Sequence, residues 1–267
     1  MTDTAARPTR VVVWMEGRHE QIDEKVQRLY PDGMAGAIAA GLREQFEGPL
    51  EVRIALLDDG PDHGLSEEVL AATDVLLWWG HKAHGEVSDE VVARVQSHVL
   101  SGLGLLVLHS GHWSKIFRTL MGTSCTLKWR NEADRELVWT VAPSHPIAQG
   151  VPSPIVIPEQ EMYGEFFDIP VPDEVVFISS FSGGEVFRSG VTFTRGLGRI
   201  FYFSPGDQDY PVYFHEDVRR VLANAVAWAS PGDREREHPS LARFDSGWFE
   251  TESEQSVKAR GSGRTPE

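Results

Sequence analysis

Short apolar runs alternate with amphipathic segments through the first half of the chain, and this alternation limits the folds it can adopt. The apolar runs are typical of buried strands and comprise Arg10–Met15, Glu51–Leu57, Asp74–Gly80 and Leu103–His109. The segments between them have helical spacing, and comprise Asp32–Phe46, Leu65–Ala72 and Ser88–Gly102. Apolar strands that alternate with helices predict a parallel sheet covered by helices on both faces.

The pattern changes after residue 125. Thr126–Arg130 and Glu136–Ala142 predict a pair of strands, and further short strands continue through Ser204. His215–Ala229 predicts a closing helix, because its apolar residues recur on one side. We therefore expect a flexible N-terminus over residues 1–9, one α/β domain with added antiparallel strands over residues 10–230, and a polar, disordered tail over residues 231–267.

The charge and the residue content narrow the class of protein. The formal net charge is −15 in 267 residues, which argues against nucleic acid or an anionic membrane as a partner. The single cysteine, Cys125, excludes an intrachain disulfide, and no apolar run approaches the length of a membrane span. Without an apolar signal core at the N-terminus, we expect a cytoplasmic protein. A homo-oligomer is compatible with the sequence.

Histidines collect just after three of the predicted strands. His19 follows the first strand, His81 and His84 follow the third, and His109 and His112 follow the fourth. Ligands of open parallel α/β sheets bind beyond the carboxyl ends of the strands. Each histidine alone is more typical of a structural residue, but their convergence predicts at least one catalytic or metal-binding imidazole at this edge.

The stretch LHSGH allows two interpretations of Ser110. A strand that turns sharply into a helix resembles a nucleophile elbow, with Ser110 at the turn. The flanking glycines of that motif are absent, however, because Leu108 and His112 occupy their positions. We therefore favour Ser110 as the N-cap of a helix that begins near His112.

Two acidic stretches supply further candidates. Pro158–Pro170 carries Glu159, Glu161, Tyr163 and Glu165 among apolar residues, and partial desolvation there favours a general base, with a solvated loop as the alternative. FSPGDQDYPVY follows the last strand and places Asp207 and Asp209 in a Pro/Gly turn.

Several long segments together resemble the trehalose-utilisation (ThuA-like) family. They are LLWWGHKAHGEVSDEVVARVQ, VLHSGHWSKIFRTLMGTSCTLKWR, HPIAQGV, EMYGEFFDIP, GGEVFRSG and GRIFYFSPGDQDYPVY. The resemblance implies a flavodoxin-like fold similar to class I glutamine amidotransferases, and a part in the catabolism of trehalose and related disaccharides, alongside a dehydrogenase that makes 3-keto sugars.

Two departures from the related patterns bear on chemistry. The amidotransferase elbow carries a cysteine nucleophile where this chain has Ser110, so glutamine hydrolysis by a thiolate is not expected. The family pattern PGHETYP reads PGDQDYP here, so Asp207 replaces a histidine.

These observations predict a metal-assisted isomerisation or rearrangement of a keto-disaccharide. We expect His109, His112 and Glu161 to bind one divalent metal, with zinc the first choice, and Glu161, Tyr163 and Asp207 to act in catalysis. Substrate contacts are expected from His81, His84, Trp113 and Glu165. The competing hypotheses are a serine hydrolase that uses Ser110 and a non-catalytic sugar-binding or regulatory protein.

Overall fold

A computed structural model describes residues 7–231 of the chain, and nine strands form one mixed sheet within them. The strand order is β2-β1-β3-β4-β9-β8-β7-β5-β6, and both faces of the sheet carry helices. This arrangement confirms the predicted α/β class with a parallel core and added antiparallel strands. The tail predicted from residue 231 onward and the first six residues lie outside the described residues, apart from Pro231.

The parallel half of the sheet follows the alternation seen in the sequence. Its strands are β1 (Thr9–Met15), β2 (Leu50–Leu56), β3 (Val75–Trp79), β4 (Gly104–Leu108) and β9 (Gly198–Phe203). The helices are α1 (Arg18–Ile22), α2 (Glu24–Leu29), α3 (Gly33–Gln45), α4 (Glu67–Ala71), α5 (Asp89–Leu100), α6 (Lys115–Met121) and α7 (Glu216–Ala229). Two of these helices, α1 and α2, are short and were not predicted. All five parallel strands end at the same edge.

The antiparallel half corrects the predicted strand pair. Its strands are β5 (Lys128–Thr140), β6 (Ile155–Gly164), β7 (Glu174–Phe181) and β8 (Val186–Arg195). The segments predicted as two strands between residues 126 and 142 form the single strand β5, which pairs with β6 on one side and β7 on the other. Register shifts around Asp134 interrupt its pairing with β6, and Ala133 there has a positive φ of 54°. Such a bulge breaks the period-two pattern that identifies a strand.

The core lies on both faces of the sheet because alternate residues of each strand point in opposite directions. Val11 and Val13 pack toward α3 and α7, whereas Val12 and Trp14 pack toward α4, α5 and α6. Helices α4 and α5 begin at N-caps, because the hydroxyls of Ser66 and Ser88 accept hydrogen bonds from backbone N–H groups in the first turn. No helix within residues 7–231 combines the length and the apolarity needed to cross a membrane.

Candidate functional site

The chain turns sharply at the end of β4, and this turn brings the side chain of His109 next to the end of the neighbouring strand β9. His109 has a left-handed backbone conformation with φ 47°, which few residues other than glycine adopt. Gly111 makes the tight turn possible, since a Cβ at this position would lie 3.0 Å from Val107 Cγ1 and 3.1 Å from Trp78 O. Tyr202 donates a hydrogen bond of 3.1 Å to the His109 carbonyl. The strained residue is therefore held from several sides.

The imidazole of His109 is fixed by the strand beside it. Its Nδ1 lies 2.7 Å from the carbonyl oxygen of Ser204, directly after β9. A carbonyl oxygen only accepts hydrogen bonds, so Nδ1 carries a proton and donates it. This contact sets the orientation of the ring and directs Nε2 away from β9.

Two carboxylates converge on Nε2 of His109. Glu161 Oε2 lies 3.0 Å from it and Asp207 Oδ2 lies 3.4 Å from it, and all three side chains are buried. Burial lowers the pKa of His109, but the pairing with the Asp207 and Glu161 carboxylates outweighs burial and raises this pKa to about 10. As the cluster stands, His109 is an imidazolium at neutral pH.

Asp207 is ionised within this cluster. Burial raises the pKa of its carboxyl group, but the pairing with His109 lowers the pKa further, and the net shift is downward. Asp209 N–H donates a hydrogen bond of 2.8 Å to Oδ1. Among the described residues Oδ2 has no hydrogen-bond partner with good geometry, although it is within ion-pair distance of His109. One buried carboxylate oxygen is thus left without a full partner.

Tyr163 completes the cluster from β6. Its hydroxyl lies 3.2 Å from His109 Nε2, and its ring stacks on the imidazole with centroids 4.6 Å apart. Burial, followed by the charge of Glu161, raises the pKa of Tyr163 well above its ordinary value. Tyr163 is therefore a neutral hydroxyl, which accepts a hydrogen bond from the protonated Nε2 of the imidazolium and keeps its own O–H as a donor.

Gln160 connects the two carboxylate-bearing segments through their backbones. Its Oε1 accepts hydrogen bonds from the N–H of Glu161, at 3.0 Å, and from the N–H of Asp207, at 3.4 Å. Gln160 is itself buried in β6. One side chain thus ties the strand that carries Glu161 to the loop that carries Asp207.

His112 occupies a different environment on the same turn. Its Nδ1 donates a hydrogen bond of 2.7 Å to the carbonyl of Cys125, which has a positive φ of 53°. Burial lowers the pKa of His112 to about 3 in spite of this hydrogen bond. His112 is a neutral imidazole whose Nε2 has a free lone pair.

A second group of histidines lies beyond β1 and β3. His19 Nε2 and His81 Nδ1 are 2.8 Å apart, and His81 Nδ1 is 3.1 Å from Gln208 Oε1. Burial, with contributions from His81, lowers the pKa values of His19 and His84 to about 4. The carboxylate of Glu16 fixes the turn after β3 by accepting hydrogen bonds from two backbone N–H groups. The imidazoles of His19 and His84 are therefore neutral at pH 7.

A cavity of about 480 Å³ opens beside the cluster. It is lined by His81, His84, Ser110, His112, Trp113, Thr126, Leu127, Trp129, Asn131, Glu161 and Tyr163. His109 and Asp207 lie behind Glu161 and Tyr163 and are fully buried. A ligand in the cavity would therefore meet Glu161 and Tyr163 directly.

The possible metal ligands that the structure brings together differ from the set predicted from the sequence. Ligand atoms of His109, Glu161 and Asp207 all lie within 4.8 Å of one another, and this is the one such group of three or more among residues 7–231. His112 does not join it. Asp207, expected as a catalytic residue, takes the third position because the loop after β9 returns to the same edge. The role of His112 as a ligand stays a prediction without geometric support.

Two further expectations differ from the structure: Glu165 is not among the residues that line the cavity, and Ser110, which does line it, is not a helix cap. Glu165 forms an ion pair with Arg188 at 2.8 Å and also accepts hydrogen bonds from two backbone N–H groups, so its carboxylate is already engaged. Ser110 does not cap a helix, which corrects our interpretation. Helix α6 begins at Lys115, and Ser114 Oγ accepts the capping hydrogen bond from Phe117 N–H.

The structure also adds residues that the sequence did not single out. Gln160 is adjacent to Glu161, but nothing in the sequence shows that its amide reaches another segment. Trp129 and Asn131 belong to β5 and line the cavity with their side chains. Their spacing of two along a strand was the available signal, since it places both side chains on one face.

The fold and the cluster define an α/β protein with a buried imidazole–carboxylate group at the carboxyl edge of its parallel strands. The model of the ThuA family, described as trehalose utilisation, matches residues 10–229. The chain therefore belongs to the ThuA family.

Solved structures agree with this fold. A ThuA-like protein from Bacteroides uniformis has a TM-score of 0.58 at 16% identity, covering 86% of this chain and 94% of that one. A ThuA-like protein from Parabacteroides merdae has a TM-score of 0.59 at 15% identity, covering 85% and 91%. A cytoplasmic protein from Salmonella typhimurium has a TM-score of 0.54 at 13% identity, covering 82% and 98%. No curated protein matches the sequence.

Proposed function

We propose that this ThuA-family protein is an enzyme that isomerises a keto sugar derived from a disaccharide. One observation carries the proposal: the Glu161 carboxylate lines the cavity while it pairs at 3.0 Å with a buried imidazolium, and a phenol contacts the same nitrogen. A carboxylate beside a fixed acid and a hydroxyl is the arrangement that moves a proton next to a carbonyl group. The cytoplasmic Salmonella protein supports a cytoplasmic location.

The residues divide the chemical work. Glu161 takes the proton from the carbon next to the sugar carbonyl, and the C–H electron pair moves toward the carbonyl oxygen. Tyr163, which lines the cavity, donates a hydrogen bond to this oxygen, and the positive charge of the buried His109 imidazolium behind it stabilises the developing negative charge electrostatically. Glu161 then returns the proton to the former carbonyl carbon. The hydroxyl on the carbon that lost the proton gives up its own proton and becomes the new carbonyl, so an isomeric keto sugar forms without an oxidant.

The same cluster fits a divalent metal. His109 would offer Nε2 as its neutral tautomer, with Nδ1 still donating to Ser204, and Asp207 Oδ2 is a buried oxygen without a well-directed hydrogen bond. One imidazole and two carboxylates suit zinc and other first-row divalent ions. A bound ion would polarise the sugar's carbonyl and an adjacent hydroxyl. With Glu161 as a ligand, the neutral imidazoles of His84 and His112 would remain as bases in the cavity wall.

Solvent exchange tests the proton transfer directly. A keto-disaccharide is incubated with the protein in D2O, and deuterium uptake beside the carbonyl is followed by proton NMR against an enzyme-free control. Wild type should accelerate uptake, and Glu161→Gln should lower the rate by about 10²–10⁴-fold. Glu159→Gln is the matched control, because Glu159 is exposed on the same strand. Wild-type protein that binds the sugar without accelerating exchange would instead make this a sugar-binding protein.

The metal is tested without reference to activity. Protein purified without chelators is analysed for its metal content, and zinc affinity is measured by titration against a competing indicator. Asp207→Asn should weaken zinc binding by at least about tenfold relative to Asp209→Asn, whose carboxylate is outside the cluster. Equal zinc affinities in the two variants would rule out the metal at this cluster. The proposed mechanism would then be the metal-free one, with His109 as an imidazolium.

A further inference from the structure

The cavity wall changes in chemistry from its inner end to its mouth. The inner end carries ionisable and hydroxyl groups: His112, Ser110, Glu161 and Tyr163. The mouth carries two indoles, Trp113 and Trp129, which are 41% and 67% exposed. Large aromatic side chains cost free energy when they are left in water, so two of them at one opening favour an apolar ligand surface there.

Trp129 lies at the mouth, immediately outside the inner end of the cavity where the sugar would react. It pairs directly with Tyr163 across β5 and β6, so the two side chains share one face of the sheet. Tyr163 is buried against His109, whereas Trp129 is exposed on the same cavity. A group attached to the reacting ring would therefore reach the indole next.

Trp113 approaches the same opening from the parallel half. It ends the turn that carries His109 and His112, and the Arg118 guanidinium lies 4.9 Å from its ring centroid. This cation–π contact holds the indole in place. The two indoles are thus mounted on separate parts of the fold around one cavity.

Two polar side chains at the mouth, Asn131 and Thr126, are already engaged with neighbouring side chains. Asn131 donates from Nδ2 to Asp209 at 3.2 Å and accepts at Oδ1 from the Tyr210 hydroxyl at 2.6 Å. Thr126 Oγ1 lies 2.9 Å from Ser124 Oγ. A site built to read hydroxyl groups keeps donors and acceptors for them, and a site without these discriminates weakly between isomers.

We propose that the mouth is a subsite for the second ring of a glycoside and that Trp129 determines this specificity. The subsite recognises the C–H face of the ring and not its hydroxyl pattern. The substrates are therefore keto-glycosides as a class. The protein is specific for the ring that reacts and accepts different sugars as the second ring. This inference rests on the proposed function for the identity of the reacting ring.

Kinetics on a matched substrate set test the subsite. The set holds the reacting keto sugar constant and varies its substituent: methyl, glucosyl, galactosyl and mannosyl. In wild type, kcat/KM should be about tenfold higher for the two-ring substrates than for the methyl glycoside, the effect expected for covering one apolar ring face. The three two-ring substrates should agree within about fivefold.

Two variants identify the residue responsible. Trp129→Ala should abolish the tenfold preference, whereas Trp139→Ala, which removes a tryptophan of 41% exposure from the same strand outside the cavity, should retain it. Thermal melting checks that both variants fold. A preference that survives in Trp129→Ala, or two-ring epimers that differ by 100-fold or more, would overturn the inference.

Binding measurements separate this inference from the proposed function. Calorimetry compares wild type and Trp129→Ala with non-reacting disaccharides and the matching methyl glucoside. If wild type prefers the two-ring ligands and Trp129→Ala does not, the subsite stands even when no keto sugar is turned over. Turnover of keto sugars with no two-ring preference in either assay would retain the function and reject the subsite.

Discussion

The two halves of the sheet hold their functional side chains by different means. In the parallel half, His109 and His112 are each fixed by a backbone carbonyl, from Ser204 and Cys125 respectively. In the antiparallel half, Glu161 depends on a neighbouring side chain, because Gln160 accepts hydrogen bonds from its N–H and from that of Asp207.

This difference shows that two histidines on the same turn can have opposite pKa shifts. His109 and His112 both follow β4, yet the pKa of His109 is raised to about 10 and the pKa of His112 is lowered to about 3. Burial acts on both rings in the same direction. The carboxylates brought by β6 and by the loop after β9 reverse its effect at His109 alone.

The largest expected loss of activity comes from removing His109, which joins the parallel half to Glu161 of the antiparallel half. His109→Gln removes the positive charge between Glu161 and Asp207 and leaves two carboxylates facing each other. We expect kcat/KM for the keto sugar to fall by about 10³-fold. His98→Gln is the control, since His98 pairs with Glu67 on the outer helices of the parallel half. A fall below tenfold for His109→Gln would mean that the two halves act independently.

A second prediction concerns a buried acid of the antiparallel half. Burial raises the pKa of Glu136 to about 7, while a hydrogen bond of 2.5 Å from Ser179 acts in the opposite direction. The folded state therefore holds this proton more tightly than the unfolded state. The associated stability is fully present below about pH 4.5 and is lost as the pH rises through about 7.

Glu136→Gln should remove this pH dependence. The free energy of unfolding at pH 8 relative to pH 5 should rise by about 2.5 kcal/mol compared with wild type, on the scale of 1.4 kcal/mol per pKa unit. Urea unfolding at both pH values measures it, with Glu159→Gln as the exposed control. Parallel pH profiles for wild type and Glu136→Gln would show that Glu136 titrates normally in the fold.

A smaller effect is expected at Tyr163. Tyr163→Phe keeps the ring that stacks on His109 and removes only the hydroxyl at 3.2 Å from Nε2. We expect kcat to fall by about 10–100-fold with little change in KM, because the hydroxyl acts on charge that develops during the reaction. Tyr210→Phe is the comparison, since its hydroxyl serves Asn131 and Ala133 at the mouth. Equal losses in both variants would assign Tyr163 a structural role.

The smallest effect belongs to the turn after β4. Ser114→Ala removes the cap of α6 and should cost about 1 kcal/mol of stability, measured by urea unfolding. Ser110→Ala should reduce activity by less than about tenfold, because within residues 7–231 the Ser110 Oγ has no hydrogen-bond partner and so no imidazole to activate it. A loss near 10⁴-fold for Ser110→Ala would restore the hydrolase hypothesis.

The sequence by itself determined the parallel half. Apolar runs such as Val75–Trp79 are buried on both faces and bounded by capped helices, so local pattern and final environment agree. The convergence of histidines at the carboxyl edge follows from the same rule, since parallel strands end at one edge. The family resemblance in motifs such as EMYGEFFDIP was also carried by local sequence, and it is confirmed.

Only the tertiary structure decided the antiparallel half and the composition of the cluster. The bulge around Asp134 disrupts the periodicity of β5. In the middle of β6, Pro158 and the polar residues that follow it make the strand resemble a loop. Asp207 reaches His109 because β9 runs parallel to β4, although the two residues are far apart in the chain. Ionisation, pairing and access depend on such long-range contacts, and no local pattern encodes them.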